Sequence, residues 1–233
     1  MYKIIGIIGA MEEEVDTLKE SMQIDKITDL AGLKFYVGKL EERDVVVVKC
    51  GIGKVNAALC AQVLISEFKV NCIINTGVAG AIESTLDVQD MVISTDTMEH
   101  DFDTTAFGDP LGTIPRMDTS VFVADERLIA AAQKAGEEEL SNIKILKGRI
   151  VSGDVFVSSK ELKDKLESHF GAYAAEMEGA AIGHVCHLNK TPYLVIRAMS
   201  DKADGSAHTN FAEFSLEAAK NSKKMMMHML KHI

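Results

Sequence analysis

The N-terminal stretch Lys3–Gly9 carries the run Ile4-Ile5-Gly6-Ile7-Ile8 and ends on glycine. A strand that lacks polar alternation has both faces covered, as in the interior of an α/β sheet. The pattern then switches. Residues 11–22 place Met11, Val15, Leu18 and Met22 on one side at helical spacing. Lys34–Leu40 and Asp44–Cys50 read as strands joined by the turn Glu41-Glu42-Arg43, and residues 55–68 as a small-residue helix. Cys72–Asn75 reads as a buried strand that enters a Gly77-Val78-Ala79-Gly80 loop, with Met91–Thr95 as another strand. Helical periodicity marks residues 125–140, 159–169, 178–188 and 211–231, with strands at Ile145–Val151 and Tyr193–Ala198 between them. Strands alternating with helices predict a three-layer α/β/α sandwich around a central mixed β-sheet. The two adjacent early strands, with no helix between, argue against a purely doubly wound sheet.

Three prolines and no Gly/Ser-rich linker in 233 residues predict a single domain over residues 1–233. Hydrophobic residues make up 47% of the chain, which supports a sizeable core. The formal net charge of −10 disfavours nucleic acid and anionic membrane as partners. Basic residues around Lys160–Lys165 and Lys220–Lys224 read as solvated helix faces. Cys50, Cys60, Cys72 and Cys186 are irregularly spaced in apolar contexts and read as free, small hydrophobes. The N-terminal apolar run is far too short for a membrane span and lacks a basic leader. A reduced, cytoplasmic protein is expected.

Several motifs fail on their chemistry. Gly51-Ile52-Gly53-Lys54 lacks the spacing and the Ser/Thr of a phosphate loop, and no dinucleotide fingerprint follows a strand. His184-Val-Cys186-His187 lies in an apolar helical segment without a distant ligand cluster, so no metal is expected. A nucleophile elbow for serine chemistry is absent. Met225-Met226-Met227-His228-Met229 reads as a helix packing its methionines on the core.

Acidic positions are more informative. Glu12-Glu13-Glu14 follows the first strand, where a helix dipole favours carboxylates. Glu176-Met177-Glu178 precedes a small-residue run, and successive side chains there are expected to point one inward and one outward. Asp201 ends Arg197-Ala-Met-Ser200-Asp201 just beyond an apolar strand, where ligands of open α/β sheets gather. Glu14, Val78, Phe156, Glu178 and Asp201 all follow predicted strands and are expected on one rim of the sheet.

The chain resembles the bacterial 5′-methylthioadenosine/S-adenosylhomocysteine nucleosidases of the wider purine nucleoside phosphorylase superfamily. The resemblance spans nearly the whole length. It is carried by Ile7–Glu14, Gly51–Val55, Ile74–Gly80, Thr105–Gly108, Ser152–Asp154, Glu176–Glu178, His184–His187 and Arg197–Asp201. It implies a nucleoside phosphorylase-like fold, no cofactor, adenine nucleosides as ligands, and a homodimer whose active sites borrow residues from the neighbour. It also implies roles. Glu14 would activate water, and Glu178 would hold the ribose hydroxyls above Met177. Asp201, supported by Ser200 and Arg197, would protonate adenine N7. Phe156 would stack on the base while the Val157 backbone reads its edge. Met11, Ile52, Phe211 and the partner's Phe107 and Pro115 would line the 5′-alkylthio pocket. Two positions depart from the pattern. Val78 stands where the family often has Ser, and Asp109 where an aromatic residue can wall the 5′ pocket.

The residues suit that chemistry. Cleaving an N-glycosidic bond builds positive charge on the ribose and negative charge on adenine, so an acid and a water-activating base are needed on opposite sides. An aspartate near its ordinary pKa of about 3.9 holds no proton at neutrality. Asp201 is therefore expected to be desolvated, with Arg197 acting by positioning rather than by direct pairing. A phosphorylase of the same fold would want Arg or Lys at the nucleophile corner, where Glu14 stands. A non-catalytic nucleoside-binding protein would need neither Glu14 nor Asp201.

Overall fold

A computed structural model describes residues 2–233, and the side chains of all of these except 208, 209 and 212. The central strands include β1 (Ile4–Gly9), β4 (Arg43–Lys49), β5 (Cys72–Ala81), β8 (Ile145–Ser152) and β10 (Tyr193–Asp201). Between and beside them run β2 (Gln23–Leu30), β3 (Leu33–Leu40), β6 (Met91–Glu99), β7 (Phe122–Val123) and β9 (Ala172–Glu176). The helices are α1 (Glu12–Lys19), α2 (Lys54–Ser66), α3 (Glu126–Glu139), α4 (Lys160–Phe170), α5 (Gly179–Asn189) and α6 (Ala207–Met229). All strands join one mixed sheet in the order β10-β6-β8-β9-β5-β1-β4-β3-β2, with β7 on β6. Strand β10 also pairs β5 in parallel, so β10, β6, β8, β9 and β5 close into a ring. That closure adds a feature to the mixed sheet expected from the sequence.

Period-two alternation builds the layers. Ile5, Ile7, Val45, Val47, Cys72, Ile74, Leu194 and Ile196 face α1, α3 and α6, and the methionines Met225, Met226 and Met229 are buried among them. Ile8, Val46, Val48, Ile73 and Val195 face α2 and α5, with Cys60 and Cys186 in that core. A third cluster packs α4 through Leu166 and Phe170 on Val151 and Ala172. The four cysteines are free and buried, as their contexts implied. Among the described residues, no helix is long and apolar enough to cross a membrane.

One local expectation is corrected, and two strands are added that the sequence reading left unassigned. Gly77–Gly80 is not a loop but the continuation of β5, paired with Arg197–Asp201 of β10. Strand β2 is added at the sheet edge, largely exposed, with a register shift between Ile24 and Lys26 that breaks its alternation. The alanine-rich β9 is likewise a strand, although alanine favours helix, because its ladders with β8 and β5 outweigh propensity. At the β2 bulge, a Cβ on Gly38 would stand 2.0 Å from the carbonyl oxygen of Gln23, and backbone cannot give way as a flexible side chain can. Gly38→Ala should therefore cost about 1–3 kcal/mol of stability, measured by urea denaturation; an unchanged midpoint would show that the edge hairpin relaxes freely.

Candidate active site

The carboxyl ends of β1, β5 and β10 meet at a cavity of about 440 Å³, within the range that takes a nucleoside-sized ligand. Its walls include Met11, Glu14, Ile52, Val78, Phe156, Glu176, Met177, Glu178, Ser200, Asp201 and Phe211. A smaller adjoining cavity joins Val157 to Phe156, Met177 and Asp201. The expected residues thus converge, except Arg197, Phe107 and Pro115. Arg197 lies behind the wall, 1% exposed. Phe107 is 87% exposed and Pro115 is exposed on the surface, away from this chain's own cavity lining.

Glu14 is aimed by the start of α1. Its Oε2 accepts from the backbone N–H of Ala10 at 2.5 Å and of Met11 at 3.0 Å, satisfying amides that a helix N-terminus leaves open. Its Oε1 accepts from the Val78 N–H at 3.1 Å. A Cβ on Gly77 would stand 2.3 Å from that oxygen, so a side chain there would displace the carboxylate. Burial pushes the Glu14 carboxyl up, against the Arg197 charge and the three amides, which favour the ionised form. Glu12 of the same triplet points outward to Lys49 at 2.6 Å.

Asp201 owes its position to a register shift in β10, which skips Ser200 in the ladder with β5 and turns Asp201 toward the cavity. It is 1% exposed. Its Oδ1 accepts from the Ala203 N–H and its Oδ2 from the Ser200 hydroxyl, both at 2.8 Å. Burial raises its pKa, and the two hydrogen bonds oppose the shift. No contact with Arg197 competes for it; the guanidinium bonds Glu176, Asn75 and the Ile196 carbonyl instead.

The Glu176-Met177-Glu178 expectation is corrected, because both carboxylates are buried. Glu176 accepts from Arg197, from the Ser152 hydroxyl, and from the N–H groups of Glu178 and Gly179 that open α5. This support network of Glu176, Ser152 and Asn75 was missed in the sequence, although each of the three lies in one of the motifs Ile74–Gly80, Ser152–Asp154 and Glu176–Glu178. Glu178 accepts from the Gly53 N–H at 2.9 Å and lies 3.9 Å from Arg197. Gly53 makes that bond at φ 99°, a backbone region suited to glycine. Desolvation first, then the Glu176 charge, push the Glu178 carboxyl up to about 8. Phe156 meets Phe211 edge-on, with ring centroids 5.9 Å apart.

The His184 and His187 motif does not converge on a ligand set: His184 Nδ1 lies 3.0 Å from Glu99, and His187 Nε2 lies 3.3 Å from Asp118.

A carboxyl whose folded pKa lies above its unfolded value of about 4.5 favours the fold fully below that value. The contribution disappears as pH rises through about 8. Wild type should therefore lose stability relative to Glu178→Gln between pH 5 and 8, by on the order of a few kcal/mol. Urea denaturation across that range tests it; a difference independent of pH would contradict the buried, proton-holding carboxyl.

Comparison with known proteins identifies the family. Residues 4–231 match the phosphorylase superfamily. The 5′-methylthioadenosine/S-adenosylhomocysteine nucleosidase of Staphylococcus carnosus is 44% identical over 99% of this chain and 100% of its own length. The nucleosidase of the same kind from Neisseria meningitidis, in complex with methylthio-immucillin-A, superposes with a TM-score of 0.95. It is 42% identical, covering 99% of this chain and 100% of that one. The futalosine hydrolase of Helicobacter pylori follows at TM-score 0.94 and 35% identity, covering 99% and 98%. A mixed sheet flanked by helices, a carboxylate-lined cavity and full-length similarity together place this chain in the phosphorylase superfamily, among the 5′-methylthioadenosine/S-adenosylhomocysteine nucleosidases, enzymes that cleave an N-glycosidic bond.

Proposed function

We propose that this enzyme hydrolyses the N-glycosidic bond of 5′-methylthioadenosine and S-adenosylhomocysteine, and of 5′-deoxyadenosine, to adenine and the corresponding ribose. The observation that carries the reading is Glu14. Three backbone amides hold its carboxylate at one side of the cavity that Asp201 also lines. As the C1′–N9 bond breaks, its electron pair passes into adenine, and Asp201 supplies the proton at N7. Water adds to C1′ and gives its proton to Glu14. Raised pKa values for a buried Asp201 support the donor role, and the absence of a pairing with Arg197 fits a positioning part for that residue. Ser200 orients Asp201.

Glu178 takes the ribose hydroxyls above Met177. Phe156 stacks on the base, and the Val157 backbone reads its edge. Met11, Ile52 and Phe211 receive the 5′ substituent. The partner's Phe107 and Pro115 complete that pocket in a homodimer. Exposed Phe107, Val55 and Ile52 support an apolar contact between copies. Residues 1–233 act as one nucleosidase domain. Four buried, unpaired cysteines fit a reducing cytoplasm, where the reaction would serve methionine salvage and purine nucleoside catabolism. Among the described cavity-lining residues, none is Lys or Arg, which favours water over phosphate as nucleophile.

The test is adenine release from 5′-methylthioadenosine with and without inorganic phosphate. Release is expected to be phosphate-independent and to yield free methylthioribose. Asp201→Asn and Glu14→Gln should each lower kcat/KM by about 10²–10⁴-fold. A phosphate requirement with a sugar 1-phosphate as product would move the enzyme to phosphorolysis, and near-normal turnover in Glu14→Gln would remove its assigned role.

A further inference from the structure

A second cluster of chemistry-bearing side chains lies at the opposite end of α6 from Phe211. His228, in the last turn of α6, and His232, four residues on, face Glu138 at the end of α3. One ligand atom from each of the three lies within 4.8 Å of the others. His228 Nε2 and His232 Nε2 stand 2.5 and 3.1 Å from the same oxygen of Glu138. Bonds of about 2.0–2.2 Å to a tetrahedral ion put neighbouring ligand atoms roughly 3.3 Å apart. The two imidazole–carboxylate separations need to open by under about 1 Å to admit one.

Three further observations point the same way. His228 Nδ1 lies 2.9 Å from Glu139 Oε1. A carboxylate this close to one ring nitrogen favours the proton there and leaves the other lone pair free for a metal, which is the usual outer support of a ligating histidine. The C-terminal ends of α3 and α6 both meet here, and helix C-termini favour positive charge. Finally, Arg43 Nε donates to the Leu230 carbonyl at 3.1 Å, and the His232 N–H bonds the Met229 carbonyl at 2.9 Å. These bonds hold the C-terminal turn, and His232 with it, in place. Besides the two histidines, the ion-pair partner of Glu138 among the described residues is Lys134, 4.0 Å from its other oxygen and more than half exposed.

We propose that Glu138, His228 and His232 form a binding site for a divalent transition ion of the zinc class, with Glu139 as its outer carboxylate and water in the fourth position. Two imidazoles and one carboxylate, without thiolate, suit Zn²⁺, Ni²⁺ or Cu²⁺ rather than Ca²⁺ or Mg²⁺. The ion would clip α6 to α3. This site is separate from the carboxylate-lined cavity and does not depend on the function proposed for it.

The experiment uses untagged, chelator-stripped protein titrated with ZnCl₂, followed by calorimetry and thermal unfolding. One equivalent should bind, and Tm should rise by roughly 5–10 °C at a hundredfold excess over Kd. Glu139→Gln should weaken binding about 10–100-fold. His232→Gln and Glu138→Gln, both at surface positions, should abolish the shift while leaving the zinc-free Tm close to that of the wild type. X-ray absorption should show only N/O ligands near 2.0–2.1 Å; a Zn–S distance near 2.3 Å would assign the ion to a cysteine instead. Absence of saturable binding, or a shift retained in His232→Gln, would overturn the site and leave a plain ion-pair clasp between the helices.

Discussion

The buried guanidinium of Arg197 is the interaction around which the cavity is arranged. It sits on β10, inside the sheet, where an unpaired cation would be severely destabilising. Glu176 takes its charge, Asn75 accepts a further hydrogen bond, and Glu178 lies just beyond. Glu176 in turn accepts the first amides of α5. One ion pair therefore fixes three things together: the end of β9, the start of α5 and the carboxylate that α5 presents at its head. Removing one member of such a pair typically costs about 3–5 kcal/mol, because the other is left buried and uncompensated.

This arrangement leaves the cavity with more acid than base. Glu14, Glu176, Glu178 and Asp201 line it, with Arg197 as the cation behind them. Burial raises the pKa of Glu14, Glu178 and Asp201, so the empty site resists full ionisation. Such a surplus suits a reaction in which a sugar carbon becomes positive as its bond to the base stretches. Fixed carboxylates then interact more strongly with the transition state than with the neutral nucleoside. The same surplus explains why backbone amides, at Ala10, Met11, Val78 and Gly53, do so much of the holding: they stabilise carboxylates without adding a formal charge.

Much of the architecture was legible in the sequence because its strands are buried on both faces. Runs such as Ile4–Ile8 and Val45–Val48 can belong only to a covered sheet, and the glycine after the first announces a turn. Where burial is one-sided or absent, the pattern fails. Strand β2 is mostly exposed and interrupted by a bulge, and β9 is rich in alanine. Gly77–Gly80 looked like a loop because its glycines serve close approach by Glu14 and Asp201 rather than a turn. In the cavity, the convergence of Glu14 and Asp201 followed from their places after strands, whereas the strand before Glu178 was not legible. The inward turn of Glu176 did not, because its partners Ser152 and Arg197 come from distant parts of the chain. Pairings of that kind leave no local periodicity to read.

The closure of the sheet has a consequence for the order in which the chain becomes useful. Strand β10 lies between β5 and β6 and pairs both, across more than a hundred residues of intervening sequence. Loop closure on that scale comes late, after local hairpins such as β2–β3 and helices have formed. A ribosome that has delivered β1 through the first turn of α5 has supplied Glu14 and Glu178 but neither Arg197 nor Asp201, and the ring is still open. The last strand made brings the final charges and α6 adds Phe211 to the wall, so a partly synthesised chain carries an incomplete set of charges and no assembled site.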